Sequence, residues 1–349
     1  MLPTAPAATR LPRRRIRLAA ALLATGTLLA ACGSNTDTQN AAPAGDNPAV
    51  PCAAGDLTGE RTVTGTFLGD VEVPAAPQRI ISGWLVGTQL IDMGVRPVGM
   101  LDDYKRNATP QELTVVEGVP DIGSVTSGVN KEQVLALDPD LMITFVRQDM
   151  AKTLAVDEVN EVAAPTVAFE IQEPTDVWKN YQNVADAIGC GQFAKDRLAG
   201  LDDQLKSIAT DNKDAIAKLG TVAFVEGSDE PGQYQIATNK SLMYQRLTLA
   251  GLKYFSGVDA NPKRYNQQIS LEDINRLSSA NILFYEADYE GNATARTQAL
   301  LDNPAFAQLP AVKAGNLFPL RTPYAYTTAA VERQAENIAA AVKAAKPVS

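Results

Sequence analysis

The chain has 349 residues, 45% of them apolar and 20% charged, with a formal net charge of −9 and no histidine. That is material for one large or two medium globular domains. The missing histidine excludes His-based catalytic triads, nearly all zinc-enzyme sites and His-ligated haem. No phosphate-binding glycine loop, dinucleotide-binding glycine fingerprint or G-x-S-x-G elbow occurs either.

The first 31 residues read as an export signal. Arg10, Arg13, Arg14, Arg15 and Arg17 form a basic segment without an acid, and 18–30 is an apolar run too short to span a bilayer comfortably. The Arg14-Arg15 pair also fits a twin-arginine signal. Leu29-Ala30-Ala31-Cys32 resembles the bacterial lipobox, in which Cys32 is lipidated and becomes the new N-terminus. Residues 32–56, rich in Asn, Ala, Thr, Pro and Gly, read as a tether with little to bury. Removal of the signal takes away five arginines and no acid, which leaves a net charge of −14. Such a polyanion is a poor partner for nucleic acid or an anionic membrane surface. Cys52 and Cys190 remain, an even pair that in an exported protein reads as a disulfide, with two free buried thiols as the alternative.

The folded region opens with alternation over 61–73 and a turn at Gly69-Asp70, an edge hairpin. A strand at 79–83, a helix at 84–93 closed by Gly94, and a strand at 95–100 follow. The stretch 101–128 reads as a long polar loop carrying Asp102, Asp103, Tyr104, Lys105 and Arg106. Next comes GVNKEQVLALDPDLMITF at 128–145, a helix capped by Asn130 and stopped by Asp138-Pro139, then a strand buried on both faces. A helix at 149–161 and a strand at 165–170 continue the alternation, which predicts a mostly parallel sheet. Residues 173–219 are helical with an interruption at Gly189-Cys190-Gly191. The part 193–219 places Leu198, Leu201, Leu205 and Ile208 on one stripe; 27 helical residues would reach about 40 Å.

Strands at 222–226 and 233–238 and a helix at 241–250 begin the second half, and a loop at 257–268 carries Arg264 and Tyr265. The earlier phrase then recurs as ISLEDINRLSSANILFYE, with Glu272 answering Glu132, Ile274 answering Val134, Leu277 answering Leu137 and Ser270 in the capping place of Asn130. The repetition predicts two similar α/β lobes. Tyr285, Tyr289, a helix at 293–301, a strand at 316–320, then Arg321, Pro323, Tyr324, Tyr326 and a last helix to about 343 complete the chain.

The lipobox and tether, VPAAPQRII at 73–81, GVRPVG at 94–99, Glu132-x-x-x-x-Leu137-x-Pro139-Asp140-Leu141, one connecting helix and SLEDI at 270–274 stand in a telling order. Together they resemble the substrate-binding lipoproteins of ferric-siderophore and cobalamin ABC importers, over roughly 63–342. The resemblance implies two Rossmann-like α/β lobes with mostly parallel sheets, at 57–192 and 220–349, joined by a rigid helix at 193–219. It also implies slight closure on binding and one docking glutamate per lobe, by motif position Glu132 and Glu272, meeting arginine pockets of the permease. An acid in a first helical turn is favoured by the helix dipole, which fits docking and equally fits an ordinary helix-start charge.

Ligands in such sheets sit at the carboxyl ends of strands. The loops there carry Trp84, Tyr104, Arg147, Arg264, Tyr265, Tyr289, Arg321, Tyr324 and Tyr326. Arginines suit an anionic ferric chelate and the aromatics cover flat chelators, so an anionic complex is expected, with a neutral trihydroxamate as the alternative. Iron would arrive fully coordinated inside the siderophore, with no resident cofactor. The receptor is expected to be a monomer held by lipid to the outer face of the bacterial cytoplasmic membrane. Haem through a tyrosine, or cobalamin, are other ligands of the same fold. Two readings of other classes are an exported glycoside hydrolase using Glu132 and Glu272, which two carboxylates suffice to run, and a structural lipoprotein.

Overall fold

The computed structural model describes residues 52, 57–101 and 108–348; the expected signal, Cys32 and Tyr104 lie outside them. The chain opens with an antiparallel hairpin, β1 (Glu60–Thr66) and β2 (Gly69–Pro74). Thr66 pairs with Gly69, so the turn is Phe67-Leu68 and not Gly69-Asp70; Gly69, at φ 84°, begins the return strand. β3 (Ile80–Ser82), α1 (Gly87–Asp92) and β4 (Gly99–Met100) follow. The helix starts three residues later than its apolar pattern suggests, because Gly83 to Val86 turn sharply with Leu85 at φ 61°.

The stretch expected as a polar loop contains α2 (Pro110–Val115) and a short antiparallel pair, β5 (Gly123–Ser124) and β6 (Gly128–Val129). α3 (Lys131–Ala136) begins as predicted, with the Asn130 side chain accepting from the Gln133 amide. It hands over to β7 (Leu141–Val146), all six residues of which are buried. Leu141, Ile143 and Phe145 join the main core, while Met142 and Val146 join a smaller one on the opposite face. A strand covered on both sides needs such an unbroken apolar run. α4 (Val156–Val162) begins seven residues later than expected, and β8 (Thr166–Glu170) completes a four-stranded sheet in the order β4-β3-β7-β8, parallel throughout.

Two short helices, α5 (Pro174–Lys179) and α6 (Tyr181–Ala187), lead into the long α7 (Gly191–Asp211). The expected single helix at 193–219 is divided: Asn212 leaves helical geometry at φ −120°, its side chain donating to the Ile208 carbonyl, and α8 (Lys213–Leu219) continues from it. Asn competes for backbone hydrogen bonds in this way and is a poor interior helix residue. Leu201, Leu205 and Ile208 are the buried stripe of α7. The disulfide Cys52–Cys190, with Cα atoms 5.7 Å apart, fastens the start of the fold to the residue before α7.

The second half is β9 (Thr221–Gly227), β10 (Gln233–Ala237), α9 (Leu242–Leu249), β11 (Lys253–Tyr254) and β12 (Asn266–Ser270). The repeated phrase then forms a 3-10 segment, Leu271–Ser279, kinked at Asp273, where the first copy is α-helical. β13 (Ile282–Ala287), α10 (Ala295–Leu301), α11 (Pro310–Lys313), β14 (Leu317–Arg321) and α12 (Thr328–Ala344) end the chain. The sheet order is β12-β10-β9-β13-β14 with β11 also on β9; β9, β11, β13 and β14 are parallel, and β10 and β12 form an antiparallel edge.

The result is two α/β lobes joined by α7. They are also tied across their junction. Asp92, the last residue of α1, is buried and accepts from the Thr328 amide (2.7 Å), the Thr328 hydroxyl (2.8 Å), the Ala329 amide (3.2 Å) and the Tyr181 hydroxyl (2.6 Å). A first-lobe carboxylate thus caps the final helix of the chain, where the dipole favours it. Arg197 of α7 adds a hydrogen bond to the Thr328 hydroxyl and an ion pair to Glu332 at 3.0 Å. Among the described residues no helix is long and apolar enough to cross a membrane.

Candidate ligand cleft

The carboxyl ends of β9, β13 and β14 point the same way, and the chain leaving each end forms a wall. Against it lie the start of α2 and the start of α5. Between them is a cleft of about 1180 Å³. Its first-lobe side is Ala108, Pro110, Leu113 and Pro174; its second-lobe side includes Glu226, Arg264, Tyr265, Asn266, Glu286, Tyr289, Arg296, Tyr324 and Tyr326.

The floor is an acid–arginine–tyrosine network. Glu226 near the end of β9 and Glu286 near the end of β13 are 3% and 6% exposed, on neighbouring parallel strands. Arg296 of α10 reaches between them with a two-pronged contact to Glu286 (2.9 and 3.2 Å), while Glu226 lies 3.7 Å from its Nη2. This approach depends on Gly227, where a Cβ would overlap the Arg296 carbonyl. Thr294 and Thr297 hydroxyls donate to Glu286 at 2.8 and 2.9 Å. Tyr324 donates to Glu226 at 2.6 Å, and its ring meets Tyr265 edge-on at 6.4 Å.

Burial pushes the Glu226 carboxyl up from 4.5 to about 7, against the lowering influence of Tyr324 and with Glu286 adding repulsion. The bidentate bond to Glu286 holds the Arg296 guanidinium firmly charged. Burial and the Glu226 charge keep Tyr324 protonated, and burial does the same for Tyr265 and Tyr326. These phenols are therefore donors, held away from the phenolate form.

Of the residues expected from sequence to bind ligand, Arg264, Tyr265, Tyr289, Tyr324 and Tyr326 line this cleft. Arg333 lies over the Tyr289 ring at 4.5 Å. Trp84 and Arg147 leave the ends of the adjacent strands β3 and β7 and meet each other, the guanidinium 5.6 Å from the indole centre, but are not among the lining residues; Arg147 also pairs with exposed Asp149 at 3.2 Å. Arg321 packs beside Gly291, with its Nε buried and unbonded, and does not line the cleft. Tyr104 is outside the described residues. Glu132 and Glu272 are exposed, each in the first turn after a side-chain cap, and neither lines the cleft. The hydrolase alternative, which needs them to share a substrate, loses its premise.

Sequence reasoning missed Glu226, Glu286 and Arg296. The signal was present: FVEG and FYEA each end a buried strand in an acid, and a carboxylate so placed is rarely left without a partner.

The profile of the family described as periplasmic binding protein matches residues 100–324. An iron(3+)-hydroxamate-binding protein of Bacillus subtilis is 25% identical over 309 residues, covering 82% of this chain and 87% of the relative. An uncharacterized ABC transporter substrate-binding lipoprotein of the same organism is 24% identical over 233 residues, covering 64% and 67%. Among solved structures, a siderophore periplasmic binding protein from the fuscachelin gene cluster of Thermobifida fusca superposes with a TM-score of 0.69 at 27% identity, covering 78% of this chain and 98% of the other.

Proposed function

Because the chain belongs to the periplasmic binding protein family, we propose that it is an extracytoplasmic receptor, anchored by lipid on Cys32, that captures a ferric siderophore in the inter-lobe cleft and passes it to an ABC permease. The observation that carries this is the cleft itself. Its volume, about 1180 Å³, suits a whole chelate, and its chemistry is that of tyrosine hydroxyls and aromatic faces around a fixed polar floor. The relative from Bacillus subtilis, named for iron(3+)-hydroxamate binding, and the siderophore-binding structure from Thermobifida fusca support the substrate class. Phenols kept protonated are weak ligands for a bare ferric ion; those of Tyr265 and Tyr326 are good hydrogen-bond donors to a chelate's oxygens, while the Tyr324 proton is committed to Glu226, so the iron travels inside its chelator as cargo. Arg264, Tyr265, Tyr289, Tyr324 and Tyr326 contact it, with Trp84 and Arg147 as an aromatic–cation rim on the first lobe. Glu132 and Glu272 dock the two lobes on the permease.

The test is intrinsic fluorescence titration of the purified protein with a panel of ferric siderophores, using the iron-free chelators, haem and cobalamin as controls. The chain has two tryptophans, Trp84 and Trp178, and Trp178 lies against Arg246 at 5.3 Å near the lobe junction. Saturable quenching by a ferric chelate, weakened at least tenfold by Tyr265→Ala, is the expected result. Haem or cobalamin saturating the signal while every ferric siderophore fails would sink the assignment.

A further inference from the structure

The two walls of the cleft differ in charge, and that difference addresses which chelates fit. This inference rests on the receptor reading above. Among the described residues, the first-lobe wall of Ala108, Pro110, Leu113 and Pro174 carries no charge. The second-lobe wall carries six carboxylates, Glu226, Asp229, Glu230, Glu286, Asp288 and Glu290, against two guanidiniums, Arg264 and Arg296. Arg296 is already engaged by Glu286, with Asp229 a further 3.6 Å from its Nη1. Asp288 is occupied in part by the amides of Gly291 and Asn292. Glu230 and Glu290 are exposed at the cleft, and among the described residues their side chains have no partner. Of the three arginines that would have favoured an anionic ligand, Arg147 and Arg321 do not line the cleft, which leaves Arg264 alone. Residues 102–107, next in sequence to Ala108, hold two acids and two bases, a neutral sum.

We propose that the receptor selects ferric chelates bearing pendant cationic groups, ammonium or guanidinium, and discriminates against polyanionic ferric tricatecholates. The chelate lies with an apolar face on Pro110 and Leu113 and turns its cationic groups toward Glu230, Asp288 and Glu290. A cleft whose lining has an excess of one sign of charge focuses the field on the opposite sign, and the net charge of −14 expected for the exported form repels a polyanion before contact. Selection by charge of this kind works as much by rejecting the wrong ligand as by holding the right one.

The experiment compares three probes by fluorescence titration: a ferric trihydroxamate with a free terminal ammonium, the same complex with that amine acetylated, and a ferric tricatecholate. The ammonium form is expected to bind about tenfold tighter than the acetylated one, with the gap shrinking between about 0.02 M and about 0.5 M salt. The tricatecholate is expected to bind weakest. In the Glu230→Gln, Glu290→Gln double variant the ammonium and acetylated forms should converge to within about twofold. Equal affinity of those two forms for the unaltered protein, or tightest binding of the tricatecholate, overturns the charge inference and leaves the receptor assignment standing. Failure of all three to saturate removes the assignment and the inference together.

Discussion

Two carboxylates with opposite duties dominate the chemistry of this chain. Glu226 is buried with its pKa raised from 4.5 to about 7. Between those values the folded chain holds one more proton than the unfolded chain, so stability falls as pH rises through the window. The shift corresponds to roughly 3 kcal/mol. Urea unfolding at about pH 5 and about pH 7 should show that decline, and Glu226→Gln should flatten it; an unchanged slope in the variant would assign the effect elsewhere. Asp92 serves as an acceptor for four donors. The amides of Thr328 and Ala329 bond different oxygens of the carboxylate, so Asp92→Asn turns its NH2 against one of these backbone N–H groups and is expected to cost roughly 2–3 kcal/mol in the same assay. Residue by residue, Tyr289, Tyr324 and Tyr326 were legible because they follow the ends of β13 and β14, and Tyr265 because it lies in the loop leading into β12. Asp92 was not, because its partners lie 89 to 237 positions away and nothing local distinguishes it from a surface acid.

Among the elements, α2 shows how composition can mask a local signal. The polar stretch around it reads as loop, yet Thr109-Pro110-Gln111-Glu112 is a complete capping box with proline at the first turn, and the structure forms both reciprocal bonds. Pro110 and Leu113 of this six-residue helix are half of the uncharged cleft wall. Thr109→Ala should therefore cost about 1 kcal/mol, speed amide exchange at Glu112 to Val115, and weaken ligand binding; unchanged exchange there would mean that packing alone holds the helix. The repeated phrase was legible as position and only partly as conformation. Asn130 caps an α-helix and Ser270 a 3-10 segment, although both place a glutamate in the first turn. The break of the long helix at Asn212 follows from one side chain turning back on Ile208, a choice that an apolar stripe does not encode.

For the whole molecule, the two-lobe plan was readable from alternation and from the repeat, since both report on sheet burial. The mixed second sheet was less so, because strand direction is set by connections and not by side-chain pattern. Glu132→Ala and Glu272→Ala, both away from the cleft, should leave the affinity for a ferric chelate within about twofold and lower cellular iron-siderophore uptake at least tenfold. Uptake at the unaltered rate in both variants would remove the docking role.

The Asp92 cap on the last helix has a consequence for how the permease is supplied. With the lobes joined by α7 and buttoned together at Thr328 and Ala329, binding has little room to rearrange them. A partner reading only their outer faces then meets nearly the same object with or without cargo, and preference between two forms cannot exceed the difference in their contacts. Unloaded receptor is expected to queue for the same berth. Raising its copy number above the supply of chelate should slow uptake, and Glu132→Ala in the surplus copies should relieve the congestion.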